Sequence, residues 1–146
     1  MKQTNNRTNR SRLRRWLRVL PAIAWMAVIY VLSAQTGDEI SSLLPFLQQF
    51  FPSMTSFNWG HYVSYFILAM TFDYALSRRA DRWHGRVLII LLCGLYGVSD
   101  EVHQSYVGGR MMDLYDIRND MIGAAVWTII SAVPPVRRLW HRLKEL

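Results

Sequence analysis

Three stretches of this chain carry ionisable side chains inside otherwise apolar sequence. His61 and Tyr65 stand one helical turn apart; Asp100, Glu101, His103 and Gln104 follow; Arg110, Asp113, Asp116 and Asp120 complete the set. At about 100° per residue, Asp100 and Gln104 fall roughly 40° apart on a helix, with Glu101 and His103 flanking them. Asp113, Asp116, Asp120 and Gly123 lie within about 80° if a helix begins near Asp113. Five carboxylates with one nearby Arg110 cannot all be ionised cheaply in a partly desolvated site. Three arrangements answer that difficulty: shared protons serving acid–base chemistry, a divalent metal, or a hydrogen-bond network that ties helices together. The chain offers no Ser or Cys nucleophile beside a His with motif support, no Gly-rich phosphate loop and no H-x-x-x-H spacing. Those absences argue against nucleotide-driven chemistry.

The elements that position these groups are written in the hydropathy. The chain has 146 residues, enough for one domain, and 51% of them are hydrophobic. The apolar residues come in long runs, with the polar ones blocked at ends and loops. Leu17–Ala34 is a first run long enough to cross a bilayer once Trp16 is included. Cleavage after Ala34 would put Leu32 where a small residue is required, so this run reads as an uncleaved anchor. Pro21 falls in its first turn, where a missing N–H costs little. Further spans are expected at about 58–77, 86–106 and 114–133. The last two are purely apolar only over Val87–Val98 and Met121–Val133, each short of ~30 Å at ~1.5 Å per residue. Both must carry polar residues into the bilayer. Between the first two spans, Leu43, Leu47, Phe50, Phe51 and Met54 recur at helical spacing, too few to span, and predict an amphipathic helix in the interface. The fold expected is an all-α membrane bundle of four transmembrane helices plus that short interfacial helix on the outer side.

Orientation follows from the basic residues. The net charge of +7 flanks apolar runs rather than striping a polar helix, which argues for a lipid surface and against nucleic acid. A basic arm (1–16), the 78–86 loop and a basic tail (135–146), with Arg18 beside the arm, hold fifteen of the seventeen Lys and Arg; Arg110 and Arg118 are the others. The positive-inside rule then places both termini in the cytoplasm and the 35–57 and 106–115 segments outside. Six Trp and seven Tyr suit the membrane–water boundary. The lone cysteine, Cys93, lies mid-run and reads as a small buried apolar residue. In this frame three helices bring ionisable groups to one depth on the outer side, and such groups normally face the bundle interior. Arg118 points off that face toward headgroups. Gly123 lets a neighbouring helix approach closely. Asp73, toward the inner end, is expected to pair with the 78–86 loop.

The run Asp100-Glu101-Val-His-Gln104-Ser-Tyr-Val-Gly-Gly109-Arg110, followed by Asp116 and Gly123, resembles the VanZ-like family of small bacterial membrane proteins. The His61/Tyr65 pair on the preceding span fits the same pattern, and Ser33 and Gln35 fit a weaker feature of it. The likeness covers most of residues 16–133. Two positions depart: Asn58 stands where a Lys is common, and Asp120 where an Asn is expected, with Asn119 just before it. An ionised Asp120 cannot donate the hydrogen bond that an Asn would. The family's namesake is associated with reduced susceptibility to the glycopeptide antibiotic teicoplanin. The resemblance implies a multi-pass protein of the bacterial cell membrane that handles lipids or a lipid-linked envelope precursor.

The expected function is therefore a membrane enzyme or processing factor. Asp100 or Glu101 would serve as general acid or base and His61 as partner, with Tyr65, Gln104, Asp116 and Asp120 completing the catalytic set. Arg110, His103 and Asp113 would contact the substrate. For Arg110 the alternatives are a clamp on phosphate and a pair with Asp116. For His61 the plainer alternative is an interhelical hydrogen bond to the Asp100 region, and for His103 a place among the headgroups. The competing function is a non-catalytic transporter, flippase or binder of lipid or antibiotic.

Overall fold

The computed structural model describes residues 16–36 and 58–145, with scattered positions between 38 and 49. The basic arm as far as residue 15 and the positions carrying the expected interfacial helix, Leu43, Leu47, Phe50, Phe51 and Met54, lie outside the described residues. What is described is all-helical, with no strand. The order is α1 (Leu20–Ser33), α2 (Asn58–Leu76), a 3-10 turn (Ser77–Arg79), α3 (Trp83–Gln104), α4 (Leu114–Ile130) and α5 (Pro134–Glu145).

α4 packs along both α2 and α3, and α1 closes the bundle against α2. The α2–α4 approach depends on Gly123, because a Cβ there would run into the carbonyl of Tyr62. Small residues at such a crossing let backbones close in, as expected from the sequence. Tyr65, Leu68 and Ala69 of α2, Ile89 and Cys93 of α3, and Ala124 and Trp127 of α4 form the apolar core with Ile29 of α1. Cys93 is buried and free, as its surroundings in sequence suggest.

No helix among the described residues is both long and apolar enough to cross a membrane. α1 is apolar on every side but has 14 residues, a rise of ~21 Å. α3 has 22 residues, yet its last turn holds Asp100, Glu101 and Gln104. α2 carries His61 and Asp73, and α4 carries Asp116, Arg118 and Asp120. The helices establish an all-α bundle.

The end of the bundle that holds Asp73 adds one element and corrects one expected pairing. Residues read as a tail form α5, which starts on Pro134-Pro135. Proline suits the first turn of a helix, where no N–H is needed. Val136, Leu139, Trp140 and Leu143 then recur at helical spacing. Asp73 pairs with this helix rather than with the 78–86 loop. It forms an ion pair with Lys144, and it accepts the indole N–H of Trp127 at 3.1 Å and that of Trp140 at 3.1 Å. Lys144 also donates to the Ser77 carbonyl at 3.2 Å, while Arg18 donates to Ser77 Oγ at 2.8 Å and to the Lys144 carbonyl at 2.6 Å. Ser77 sits at φ 55°, a conformation rare for a residue with a side chain. These ties hold it there.

Candidate functional site

α2, α3 and α4 meet near the end of the bundle opposite Asp73, and each brings polar groups inward. On α3 the glycine at position 97 makes the meeting possible: a Cβ there would collide with the Asp120 carboxylate. Glu101 and Asp120 are fully buried, and Asp100, Gln104 and Asn119 nearly so.

His61 lies between two carboxylates of α4. Its Nδ1 is 3.0 Å from Asp120 Oδ1 and its Nε2 is 3.5 Å from Asp116 Oδ2. The expected hydrogen bond to the Asp100 region is thus replaced by contacts with α4. Asp100 and Glu101 remain close all the same. A ligating atom from each of His61, Asp100 and Glu101 falls within 4.8 Å of the others. Asp100 Oδ2 accepts from the Gln104 amide at 3.1 Å. Glu101 Oε2 accepts the backbone N–H of Asp113 at 2.7 Å, and Glu101 Oε1 has no partner among the described residues. Asp120 Oδ2 and the Tyr65 hydroxyl are likewise buried without partners among the described residues.

The turn after α3 returns Arg110 to the site. Gly109, at φ 75°, supplies the left-handed conformation that this reversal needs. The Arg110 guanidinium donates to Gln104 Oε1 rather than pairing with Asp116. Asp113 is placed as the N-cap of α4, its Oδ1 accepting the Tyr115 N–H at 2.8 Å. Its backbone, not its side chain, reaches the cluster. His103 turns away from it and stacks on Tyr30 of α1 at 4.2 Å between ring centroids. Arg118 lies over the Tyr115 ring at 5.0 Å, at the surface.

Beside the cluster opens a cavity of ≈ 210 Å³. Ile29 and Leu32 of α1 form an apolar wall, and His61, Tyr65, Asp100, Gln104 and Arg110 line the polar one. Sequence reasoning missed Tyr62, Asn119 and Gly97. Tyr62 donates its hydroxyl to Asn119 Oδ1 at 2.7 Å, and the Asn119 amide donates to Asp116 at 3.3 Å. The signal for Asn119 was its spacing of three from Asp116. Tyr62 gives none, because its partner sits on another helix. This geometry also answers the departure at Asp120. The amide donor is present one residue earlier, at Asn119, and Asp120 serves as the acceptor for His61.

With Asp100-Glu101, Gly109-Arg110, Asp116 and Gly123 placed around one site, the sequence that carries them can be matched as a whole. Residues 18–134 match the VanZ/LLP1 family, and the chain belongs to it. It is also similar to an uncharacterized protein of Schizosaccharomyces pombe, 32% identical over 82 residues, which make up 54% of this chain and 48% of that protein. The chain thus spans about half the length of that relative. No solved structure matches the chain.

Proposed function

We propose that this VanZ-family chain is a multi-pass protein of the cell-envelope membrane whose cavity receives an anionic lipid or lipid-linked substrate. The observation that carries the reading is the cavity itself, where an apolar wall faces a wall of His61, Asp100, Gln104 and Arg110. A headgroup bearing phosphate fits the polar side and its chain the apolar side. Arg110 spends one N–H group on Gln104 and keeps others to clamp phosphate oxygens. Asp100 or Glu101, with His61 beside them, supplies acid–base chemistry at that headgroup.

The membrane setting draws support from an inverted distribution of polarity. Val31 and Leu32 of α1, Leu91 and Leu95 of α3, and Ile122 and Ile129 of α4 are exposed, Leu95 by 69% and Ile129 by 66%. Asp100, Glu101, Asn119, Asp120 and Asp73 are inside. An apolar exterior around an interior that holds ionisable groups beside its apolar core fits a lipid solvent and would aggregate in water.

The test is reconstitution into vesicles containing an anionic phospholipid, with bound lipid identified by native mass spectrometry and lipid turnover followed by chromatography. Turnover is expected in wild type and a fall of ~10²–10⁴-fold in Glu101→Gln or His61→Ala. Arg110→Ala is expected to lose bound lipid. Retention of lipid without any turnover would replace the enzyme with a binder or flippase. Absence of bound lipid would remove the reading.

A further inference from the structure

Each member of the cluster formed by His61, Asp100 and Glu101 is held by a different neighbour. Asp120 Oδ1 holds His61 Nδ1 at 3.0 Å, the Gln104 amide holds Asp100 Oδ2 at 3.1 Å, and the Asp113 N–H holds Glu101 Oε2 at 2.7 Å. With its proton on Nδ1, toward Asp120, the imidazole would present Nε2, which lies 3.5 Å from Asp116 Oδ2, to a cation. A carboxylate behind an imidazole, and a hydrogen bond behind each carboxylate, is the outer shell that metal ligands need. The cluster has an independent sign of an absent partner. Glu101 is fully buried, and its Oε1 meets no hydrogen-bond donor among the described residues. A buried carboxylate oxygen without a partner is costly. Asp116 and Asp120 add further negative charge, and the guanidinium nearest the cavity, Arg110, is turned to Gln104.

We infer that His61, Asp100 and Glu101 form a binding site for one divalent first-row metal ion at the floor of the cavity, with Asp120 as the residue that orients His61. The inference rests on the reading of this cluster as the functional site, and it changes the task of the two carboxylates from carrying protons to holding a cation. One imidazole nitrogen and two carboxylates select ions such as Mn2+, Fe2+ or Zn2+ over Ca2+ and Mg2+, which prefer oxygen alone. Ligand atoms within 4.8 Å of one another close on an ion by small side-chain movements, since ligands ~2.1 Å from a tetrahedral metal lie about 3.4 Å apart. The cation offsets the negative charge of the cluster and faces the same space as Arg110, so the two present positive charge to a phosphate from two sides.

The experiment uses the full chain in detergent, stripped with chelator and free of added lipid, and Mn2+ as the probe. Bound Mn2+ is counted from the loss of the free-ion EPR signal, and pulsed EPR reads the nitrogen ligand. One ion per chain is expected, with modulation from a single imidazole nitrogen. Glu101→Gln and Asp100→Asn should each weaken binding by at least ~100-fold, and Asp120→Asn by ~10–100-fold. His141→Ala, at the far end of the bundle, should leave binding unchanged. Helical circular dichroism checks that the variants fold, and the nitrogen signal of wild type decides the matter if one does not. No saturable binding, bound Mn2+ without a nitrogen ligand, or binding untouched by Glu101→Gln would each overturn the site. Lipid captured by metal-free protein would leave the lipid reading standing even then.

Discussion

At the scale of single residues, Asp120 does two things at once. Its Oδ1 meets His61 Nδ1 and its Oδ2 packs on Gly97. An asparagine has the same shape and can still accept the imidazole N–H, but it lacks the charge. Asp120→Asn is therefore expected to melt at or above the wild-type temperature in detergent, because repulsion from Asp100 and Glu101 is relieved, while lipid turnover falls. Asp120→Ala removes the acceptor and leaves His61 Nδ1 unpaired, at a cost of ~1–3 kcal/mol. Equal melting losses in both variants would show that the charge itself holds the bundle together. The residue types of the site were legible in the sequence because ionisable groups inside apolar runs are costly and stand out. Their pairings were not. His61 was expected to meet Asp100, and Arg110 either a phosphate or Asp116, since helical spacing orders residues along one helix and says nothing of the rotation of its neighbour.

At the scale of elements, α5 shows a different failure of legibility. Its basic residues, Arg137, Arg138, Arg142 and Lys144, drew the eye to charge and away from the apolar series Val136, Leu139, Trp140, Leu143. Positions of the first four helices were easier, because long apolar runs bounded by arginines leave little choice. The partner of Asp73 was not legible, for it lies 71 residues on, at Lys144. That pair can be tested by a double-mutant cycle. Lys144→Met leaves the Asp73 carboxylate buried with two indole donors and no counter-charge, and a loss of ~3–5 kcal/mol is expected. Asp73→Asn together with Lys144→Met should recover most of it, so the double variant melts well above the sum of the singles. Additive losses would mean that the ion pair does not couple α5 to α2.

At the scale of the whole molecule, the proposed orientation makes a prediction of its own. In a Cys93→Ala background, cysteine at Ser105, in the exposed turn after α3, should react in intact cells with an impermeant thiol reagent. Cysteine at Arg82, exposed at the opposite end, should react only after the cells are opened. Labelling of Arg82→Cys in intact cells would invert the bundle and set the cavity toward the cytoplasm. The way polar groups are shared among helices also bears on how the protein is made. His61 on α2 finds its carboxylates on α4, Glu101 on α3 finds its donor at Asp113, and Asp73 on α2 finds Lys144 and Trp140 on α5. During synthesis every one of these charges emerges before its partner exists. In the proposed membrane setting, the ribosome would deliver a half-built chain that lipid alone should reject, and the early helices would wait, beside the insertion machinery or in water, until the last two arrive.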